Sequence, residues 1–146
     1  MAEVREAIVS EVEDIVDLWL KMGTELHPEA TPDKDAWVRL IQGLYKSGKY
    51  RIVVAEEAGR LIGFVDGLVY YEPSTGQETG ISQFIYVLPE YRMTDVAPRL
   101  YDLIVKIVNG AGAMVIQTTC DARTKGMWER KGFVVERFIM SKKVEV

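Results

Sequence analysis

The segment VLPEYRMTDVAPRLYDLIV, residues 87–105, has the composition of a strand end, a loop and the start of a helix. From Leu100 onward, apolar residues recur at i, i+3 and i+4, which predicts an amphipathic helix. The Asn-Gly pair at 109–110 predicts its end. The loop between strand and helix is RMTDVA, residues 92–97, which contains no glycine and carries Asp95 at its centre. The sequence around this loop decides how the chain is interpreted.

The rest of the chain alternates strand and helix patterns. Apolar runs predict strands over residues 4–9, 51–57, 61–71, 81–88, 113–118 and 133–144. A capping box at Ser10 and Glu13 predicts a first helix that ends near Met22. Two further helices are expected from about Asp33 to Lys46 and over 122–131, the last capped by Asp121. The order β-α-α-β-β-β-α-β-α-β predicts an α/β fold with a mixed sheet in one domain, residues 1–146.

Composition excludes several classes of protein. Hydrophobic residues make up 48% of the 146 residues and charged residues 27%, which is typical of a soluble globular protein. No apolar run approaches the roughly 20 residues that span a bilayer, so no membrane partner is expected. The net charge of −4 makes nucleic acid an unlikely partner. The counter-evidence is a set of basic residues: Arg123, Lys125, Arg130, Lys131, Lys142 and Lys143.

Cysteine and histidine usage narrows the chemistry further. The single cysteine, Cys120, cannot form an internal disulfide, which fits a reducing cytoplasm. The single histidine, His27, provides no histidine cluster for zinc and no Ser-His-Asp triad. We therefore expect no metal cofactor.

Two motifs carry a family resemblance. VLPEYR, residues 87–92, precedes the third helix, and MWERKGF, residues 127–133, precedes the last strand. Together with the order of elements they resemble the GNAT superfamily of N-acetyltransferases, over the whole chain. The resemblance implies an acyl-CoA N-acyltransferase fold, with a mixed central sheet and helices on both faces. It also implies acetyl-CoA as cosubstrate and a primary amine of a small molecule or peptide as acceptor.

The resemblance also assigns candidate site residues. In GNAT enzymes, acetyl-CoA lies in a cleft where two parallel strands splay apart, and a loop before the third helix wraps the pyrophosphate with backbone N–H groups. By this resemblance Val87 and Leu88 would meet the pantetheine arm, as would Asp121. Trp128 takes the place of a tyrosine that protonates the leaving thiolate. The pyrophosphate loop would comprise Arg92, Met93, Thr94, Asp95, Val96 and Ala97.

The loop departs from the family pattern at its centre. Asp95 replaces the glycine that allows close backbone approach to the phosphates. One interpretation is weakened binding, since a carboxylate within about 6 Å of a pyrophosphate costs on the order of 1 kcal/mol or more. Arg92, Arg99, Arg123 or Lys125 would offset that repulsion. The alternative is that Asp95 caps the following helix and that the loop has no ligand.

The base and acid positions depart as well. Gln83 replaces a glutamate and can only orient a water or an acceptor. Asp66 interrupts an apolar strand face, so it is either a buried general base or, with Gly67, the mark of a β-bulge. Trp128 cannot protonate a thiolate. Tyr86 and Tyr101 are alternative acids or packing residues, and Cys120 is a nucleophile or a structural thiol.

Acidic residues cluster in the segments expected to form the acceptor side. Glu25, Glu29, Glu72 and Glu78 would attract a cationic amine, or they simply keep exposed loops soluble. The leading hypothesis is an acetyl-CoA-dependent N-acetyltransferase that works by direct attack in a ternary complex. The alternative is a catalytically silent GNAT-like binding or regulatory domain. Pairing of the last strand at the sheet edge would allow a homodimer.

Overall fold

A computed structural model describes residues 1–120, 122–137 and 139–144 of the chain. The strands are β1 (Glu3–Glu6), β2 (Tyr50–Glu57), β3 (Arg60–Glu72), β4 (Gln77–Ser82), β5 (Ile85–Val87) and β6 (Val115–Thr118). The helices are α1 (Val12–Leu26), α2 (Lys34–Lys46), α3 (Val96–Gly110) and α4 (Lys125–Arg130). Short 3-10 turns at Val9–Glu11 and Pro89–Tyr91 precede α1 and the loop before α3. None of the helices in these described ranges is long and apolar enough to cross a membrane.

The strands form one mixed sheet in the order β1-β2-β3-β4-β6, with β5 paired to β3 beyond the end of β4. The pairs from β1 to β4 are antiparallel, and β4 with β6 is parallel. Four consecutive residues of β2, from Ile52 to Ala55, are fully buried. Burial of both faces of a strand requires cover on both sides of the sheet.

Helices supply that cover, and β3 shows which helix lies on which face. The Trp19 ring of α1 lies 5.1 Å from the Phe64 ring and 5.0 Å from the Trp37 ring of α2. Gly63, the neighbour of Phe64 in β3, faces Leu100 of α3 instead. Adjacent strand residues point to opposite faces. Therefore α1 and α2 cover one face and α3 the other, as expected.

Two predicted strands require correction. The predicted 81–88 strand begins earlier, at Gln77, and is interrupted between Ser82 and Ile85. The predicted 133–144 strand is wrong, because its described residues form no strand. Val134 and Met140, for example, are 79% and 92% exposed. An alternating pattern becomes a strand only where a neighbouring edge accepts its hydrogen bonds.

The first helix also differs from its prediction. The predicted Ser10–Glu13 capping box is absent, since a 3-10 turn precedes the helix and the Glu11 carboxylate accepts a hydrogen bond from Ile8 N at 3.0 Å. The helix continues one turn past Met22 to Leu26. By contrast, the predicted start of α2 is confirmed, because Asp33 caps it by accepting from Ala36 N at 3.1 Å.

Glycines in β3 bring α3 close to the sheet. A Cβ at Gly63 would lie 2.8 Å from the carbonyl oxygen of Tyr86 and 3.3 Å from Leu100. A Cβ at Gly67 would lie 2.9 Å from Ile104 and Val108. Side chains at these positions would push the helix outward. The glycines therefore set the distance at which the start of α3 meets β5.

We expect Gly63→Ala to lower the free energy of unfolding by roughly 1–3 kcal/mol, because the added methyl meets backbone that cannot move aside. Gly43→Ala in α2 is the matched control, since a Cβ there meets nothing within 4 Å. That control should stabilise the chain by up to about 1 kcal/mol. Urea unfolding followed by circular dichroism measures both, and equal effects would contradict the close-packing account.

Candidate active site

A fork in the sheet positions the candidate site. Strands β4 and β6 run parallel and stay paired up to Ser82 and Thr118. Beyond that point β5 turns to pair with β3, with Ile85 opposite Val65. Thr119 Oγ1 reaches the Gln83 carbonyl oxygen at 3.5 Å where the two arms begin to separate. The fork is the splayed pair of strands that the family resemblance implies.

A β-bulge opens the fork. Between Leu68 and Val65, β3 takes three residue steps while its partners take four, from Ile81 to Ile85. The extra residue breaks the long predicted strand into β4 and β5. An extra residue on one strand bends it and increases its twist. The bend therefore directs β5 away from β6.

Asp66 holds the bulge in place. Its Oδ1 accepts hydrogen bonds from Gln83 N at 2.9 Å and Phe84 N at 3.0 Å, and its Oδ2 accepts from Tyr50 Oη at 3.1 Å. The side chain is 3% exposed, and this burial raises the pKa of its carboxyl above the usual range despite the three donors. These contacts account for Asp66 as the support of a bulge, the second of the two interpretations that the sequence left open.

The loop 92–97 presents unpaired backbone donors. Met93 adopts a left-handed φ of 63°, and its side chain is fully exposed. Thr94 Oγ1 donates to the Tyr91 carbonyl oxygen at 2.5 Å and accepts from Val96 N at 3.3 Å. Within the described chain, the N–H groups of Met93, Thr94, Asp95 and Ala97 make no hydrogen bond. Such a group of free N–H donors at the start of a helix attracts an anion.

Asp95 occupies the N-cap position of α3 but its side chain makes no capping hydrogen bond. Its carboxylate is exposed and lies 3.9 Å from Arg99 Nη1, one turn along the helix. That nitrogen is buried and forms no hydrogen bond to a described residue. The loop therefore carries a negative charge that disfavours anion binding, and the Arg99 guanidinium partly neutralises that charge.

Arg92 is held by Glu25 of α1 and is not free for its predicted role. Its Nε donates to the Val87 carbonyl oxygen at 2.9 Å, and its Nη2 lies 2.9 Å from both carboxylate oxygens of Glu25. Its guanidinium also lies over the Tyr86 ring, 5.4 Å from the centroid. The structure therefore places the Arg92 charge against α1 rather than free above the loop.

The carboxylate of Glu25 contacts three other side chains, and the four residues form one cluster. Besides Arg92, Tyr86 Oη donates to it at 2.7 Å and Arg123 Nη1 lies 3.2 Å away. We call Glu25, Tyr86, Arg92 and Arg123 the Glu25 cluster. Partial burial alone would raise the pKa of the Glu25 carboxyl, but hydrogen bonds from Tyr86 and Arg92 and the two arginine charges hold it below its usual range.

Tyr86 is not poised as an acid while the Glu25 cluster is intact. Burial, together with the hydrogen bond to Glu25, raises the pKa of Tyr86 to about 12. A general acid works best when its pKa lies near the working pH. Tyr86 therefore keeps its proton at neutral pH and positions Glu25.

Two other candidate residues lie at the fork in different environments. Gln83 is exposed, and its backbone N–H is taken by Asp66. Trp128 is 3% exposed and packs edge-on against Tyr101 and Phe133, at 5.3 and 5.1 Å between ring centroids. Its indole Nε1 is buried and has no partner in the described chain. The packing role proposed for Tyr101 agrees with these contacts.

The remaining candidates concern the pantetheine arm and the nucleophile. The backbone N–H of Asp66 donates to the Phe84 carbonyl oxygen, and the N–H of Leu88 donates to the Ile62 carbonyl oxygen, so alternate residues of this segment bond to β3. Val87 lies between two such residues. Its N–H therefore faces the outer edge of β5, because antiparallel ladders alternate in this way. Asp121 lies outside the described residues. Cys120 is an exposed free thiol.

An open groove lies beside the Glu25 cluster, with a volume of about 490 Å³. Its lining residues come from α1, β5 and the following turn: Leu20, Lys21, Thr24, Glu25, Arg60, Tyr86, Leu88, Pro89 and Glu90. Its size falls in the range of small-molecule sites. Among the described residues, no group of three or more His, Cys, Asp or Glu side chains could hold a metal ion.

Sequence reasoning named Glu25 only as one loop carboxylate among several. The missed signal is the length of α1. Trp19, Met22 and Glu25 follow at the i, i+3 spacing of a single helix face, once the helix is allowed to continue through Gly23. That face meets the sheet, so Glu25 points to β5.

The chain is similar to a known protein family over most of its length. Residues 12–133 match the acetyltransferase (GNAT) family. The chain belongs to this family. The match includes α1, the bulge, the loop before α3 and α4, which are the elements that build the site.

Solved structures share the fold at low identity. A predicted acetyltransferase with acetyl-CoA from Clostridium acetobutylicum superposes with a TM-score of 0.87 at 16% identity, covering 98% of this chain and 96% of that one. Glucosamine-6-phosphate N-acetyltransferase from Arabidopsis thaliana gives 0.80 at 14%, covering 99% of both chains. Ribosomal-protein-alanine N-acetyltransferase from Brucella melitensis gives 0.75 at 18%, covering 100% of this chain and 99% of that one. No curated protein matches the sequence significantly. Identities this low support the fold and leave the acceptor open.

We expect Asp66→Ala to destabilise the chain by roughly 3–5 kcal/mol, because two buried N–H groups and the Tyr50 hydroxyl lose their acceptor. Asp66→Asn keeps an oxygen at Oδ1 and should cost about 1 kcal/mol or less at neutral pH. Thermal and urea unfolding of both variants checks this. Equal destabilisation by alanine and asparagine would contradict the bulge-holding role.

The stability difference between wild type and Asp66→Asn should also depend on pH. The folded pKa of Asp66 is raised above 3.8, so the folded state binds the proton more tightly than the unfolded state does. As pH rises from about 3.8 through the raised pKa, the wild-type chain should therefore lose stability relative to Asp66→Asn. Urea midpoints measured from pH 3.5 to 8 test the sign, and a wild-type chain that gains stability relative to Asp66→Asn as pH rises would contradict it.

We expect Asp95→Asn to tighten acetyl-CoA binding about 5-fold, since removal of a like charge near the phosphates is worth on the order of 1 kcal/mol. Asp102→Asn is the matched control, because Asp102 is an exposed carboxylate on the same helix that pairs with Lys131 at 2.9 Å. Isothermal titration calorimetry compares the two. Unchanged affinity in Asp95→Asn would show that Asp95 does not meet the phosphates.

Proposed function

We propose that the chain is an acetyl-CoA-dependent N-acetyltransferase that acts on a primary amine of a small molecule or peptide. The observation that carries the proposal is the loop 92–97, where the N–H groups of Met93, Thr94, Asp95 and Ala97 make no hydrogen bond to a described residue although the loop lacks glycine. These donors suit a diphosphate, and the buried Arg99 nitrogen beside them adds positive charge. Family membership supports the same ligand.

The fork offers a path for the rest of the cosubstrate. Acetyl-CoA would supply the activated acyl group as a thioester. The Val87 N–H at the outer edge of β5 would pair with the pantetheine arm, while Leu88 N is already bonded to Ile62 O and cannot contribute its donor. In the reaction, the amine nitrogen attacks the carbonyl carbon, the C–N bond forms as the C–S bond breaks, and the nitrogen's proton passes to solvent or sulfur.

The chain's own contribution is chiefly to position the reactants. Gln83 is exposed at the fork, where its amide can orient a water or the amine. The Asp66 carboxylate is enclosed by its three donors, so a base role for it would require the bulge to open. Proximity of two bound reactants supplies much of the acceleration in such a transfer. The proposal therefore needs no dedicated base.

The alternative is a catalytically silent domain that binds CoA weakly or not at all. The specific observations in its favour are Asp95 in the loop, Arg92 turned to Glu25, and Trp128 packed among aromatic rings. This alternative predicts that acetyl-CoA releases no free thiol with any amine. Family membership alone does not separate the two functions.

We further propose a cytoplasmic location, where the exposed Cys120 stays reduced. A homodimer stays a prediction, which light scattering of the purified chain measures.

Titration of the chain with acetyl-CoA, followed by thiol release across a panel of primary amines, tests the proposal. We expect binding below millimolar concentration and release with at least one amine. Arg99→Gln should weaken binding about 5-fold, because one charge-assisted contact is lost. Arg39→Gln on the exposed side of α2 is the control and should leave the affinity unchanged. Absence of binding at millimolar acetyl-CoA would refute the proposal, and binding without thiol release would favour the silent domain.

A further inference from the structure

The Glu25 cluster joins four segments that belong to different parts of the site. Glu25 lies near the end of α1, Tyr86 on β5, Arg92 at the first position of the loop, and Arg123 just before α4. The carboxylate is within 3.2 Å of a nitrogen of each arginine. The cluster thus links the groove beside α1 to both arms of the fork.

Two guanidinium groups share one carboxylate in the cluster, while Tyr86 stays neutral. The Glu25 carboxyl is ionised at neutral pH, because its pKa lies below the usual range. Arg92 is also the first residue of the loop with free N–H donors, and Arg123 contacts the same carboxylate as Arg92. A second anion that enters the loop beside Arg92 would therefore compete with Glu25 for the two arginines.

The contacts of Arg92 show how a second anion can replace the Glu25 carboxylate as its partner. Its Nη2 is bonded to Glu25 and its Nε to Val87 O, while its Nη1 makes no hydrogen bond within the described chain. Arg92 and Arg123 are both partly exposed, at 39% and 46% of their side chains. Ion pairs this exposed are weak and exchange readily.

We propose that Glu25 and the diphosphate of acetyl-CoA compete for Arg92 and Arg123, so that binding of the cosubstrate releases the Glu25 carboxylate into the groove. There the freed carboxylate meets a cationic acceptor amine. This proposal rests on the proposed function, since it takes acetyl-CoA as the anion. It makes Glu25 a positioning residue that couples the two ligand sites.

The groove fits the released carboxylate. Glu25 already lines it, together with Lys21, Thr24 and Glu90. While both arginines hold Glu25, a cation gains little from it. Once they turn to the diphosphate, the carboxylate keeps only the Tyr86 hydroxyl as partner. By linkage, a cation that binds Glu25 would favour diphosphate binding to the same degree.

The test is the affinity of CoA and of pantetheine, which lacks the diphosphate, for wild type and Glu25→Gln. Competition predicts that Glu25→Gln binds CoA about 3–10-fold more tightly, because two exposed ion pairs no longer have to be broken. Pantetheine affinity should stay within about two-fold. A merely structural Glu25 would weaken CoA binding when removed, so the sign of the change decides.

Two variants complete the calorimetric design. Glu90→Gln removes another groove carboxylate, which pairs with Arg60, and should leave CoA affinity unchanged. In an Arg92→Gln background, Glu25→Gln should give a smaller gain than in wild type, since one of the contested arginines is absent. Thermal unfolding of each variant establishes that it is folded.

The outcomes separate this inference from the proposed function. Tighter CoA binding by Glu25→Gln supports the competition, even where wild-type binding is too weak to measure. Equal or weaker binding, with wild type binding normally, overturns the competition and leaves the proposed function standing. No binding by either chain overturns both.

Discussion

The site depends on one buried carboxylate. By accepting two adjacent backbone N–H groups, Asp66 fixes an extra residue between β4 and β5. Without that residue β5 would continue beside β6, and the sheet would close where it now forks. The bulge therefore converts a continuous parallel pair into an opening. It also sets the direction in which the chain leaves β5 for the loop 92–97 and the start of α3.

Close packing fixes the other wall of the opening. Gly63 and Gly67 let α3 approach β3 more closely than side chains would allow, so the start of the helix lies against β5. Free N–H donors then remain at the helix start without any glycine in the loop. Met93 takes the one left-handed conformation there at a modest cost in strain. The loop keeps its donors through its backbone shape rather than its residue types.

Charge distribution is where this chain differs from the family pattern. Asp95 brings a negative charge to the loop, and Arg99 offsets it from one turn away. Arg92, expected to face the phosphates, is held by Glu25 of α1. Both features oppose anion binding in the ligand-free chain. The balance between these carboxylates and the surrounding arginines decides how tightly a diphosphate is held.

Much of the fold was predictable because the apolar patterns are local. The Asp33 cap of α2, the extent of α3 and the long strand β3 all follow from residues within a few positions. The break at Gln83 was not predictable from its own segment, since its cause is Asp66, 17 residues earlier. The prediction of a C-terminal strand was wrong for a related reason. Alternating residues such as Val134 and Met140 do not reveal whether a neighbouring strand edge is available for pairing.

Site residues were likewise predictable only where the signal is local in the sequence. The loop position came from the VLPEYR motif, which is contiguous. The contact between Glu25 and Arg92 spans 67 residues and depends on how far α1 extends, so no local pattern reports it. The burial of Trp128 likewise depends on Tyr101 and Phe133, which approach it only in the fold.

The central claim is that backbone amides of a glycine-free loop bind the diphosphate, and amide NMR tests it most directly. With ¹⁵N-labelled chain, CoA should shift the amide signals of Met93, Thr94, Asp95 and Ala97, whereas pantetheine should leave these four signals in place. Shifts produced equally by both ligands, or CoA shifts that bypass the four amides, would contradict the account.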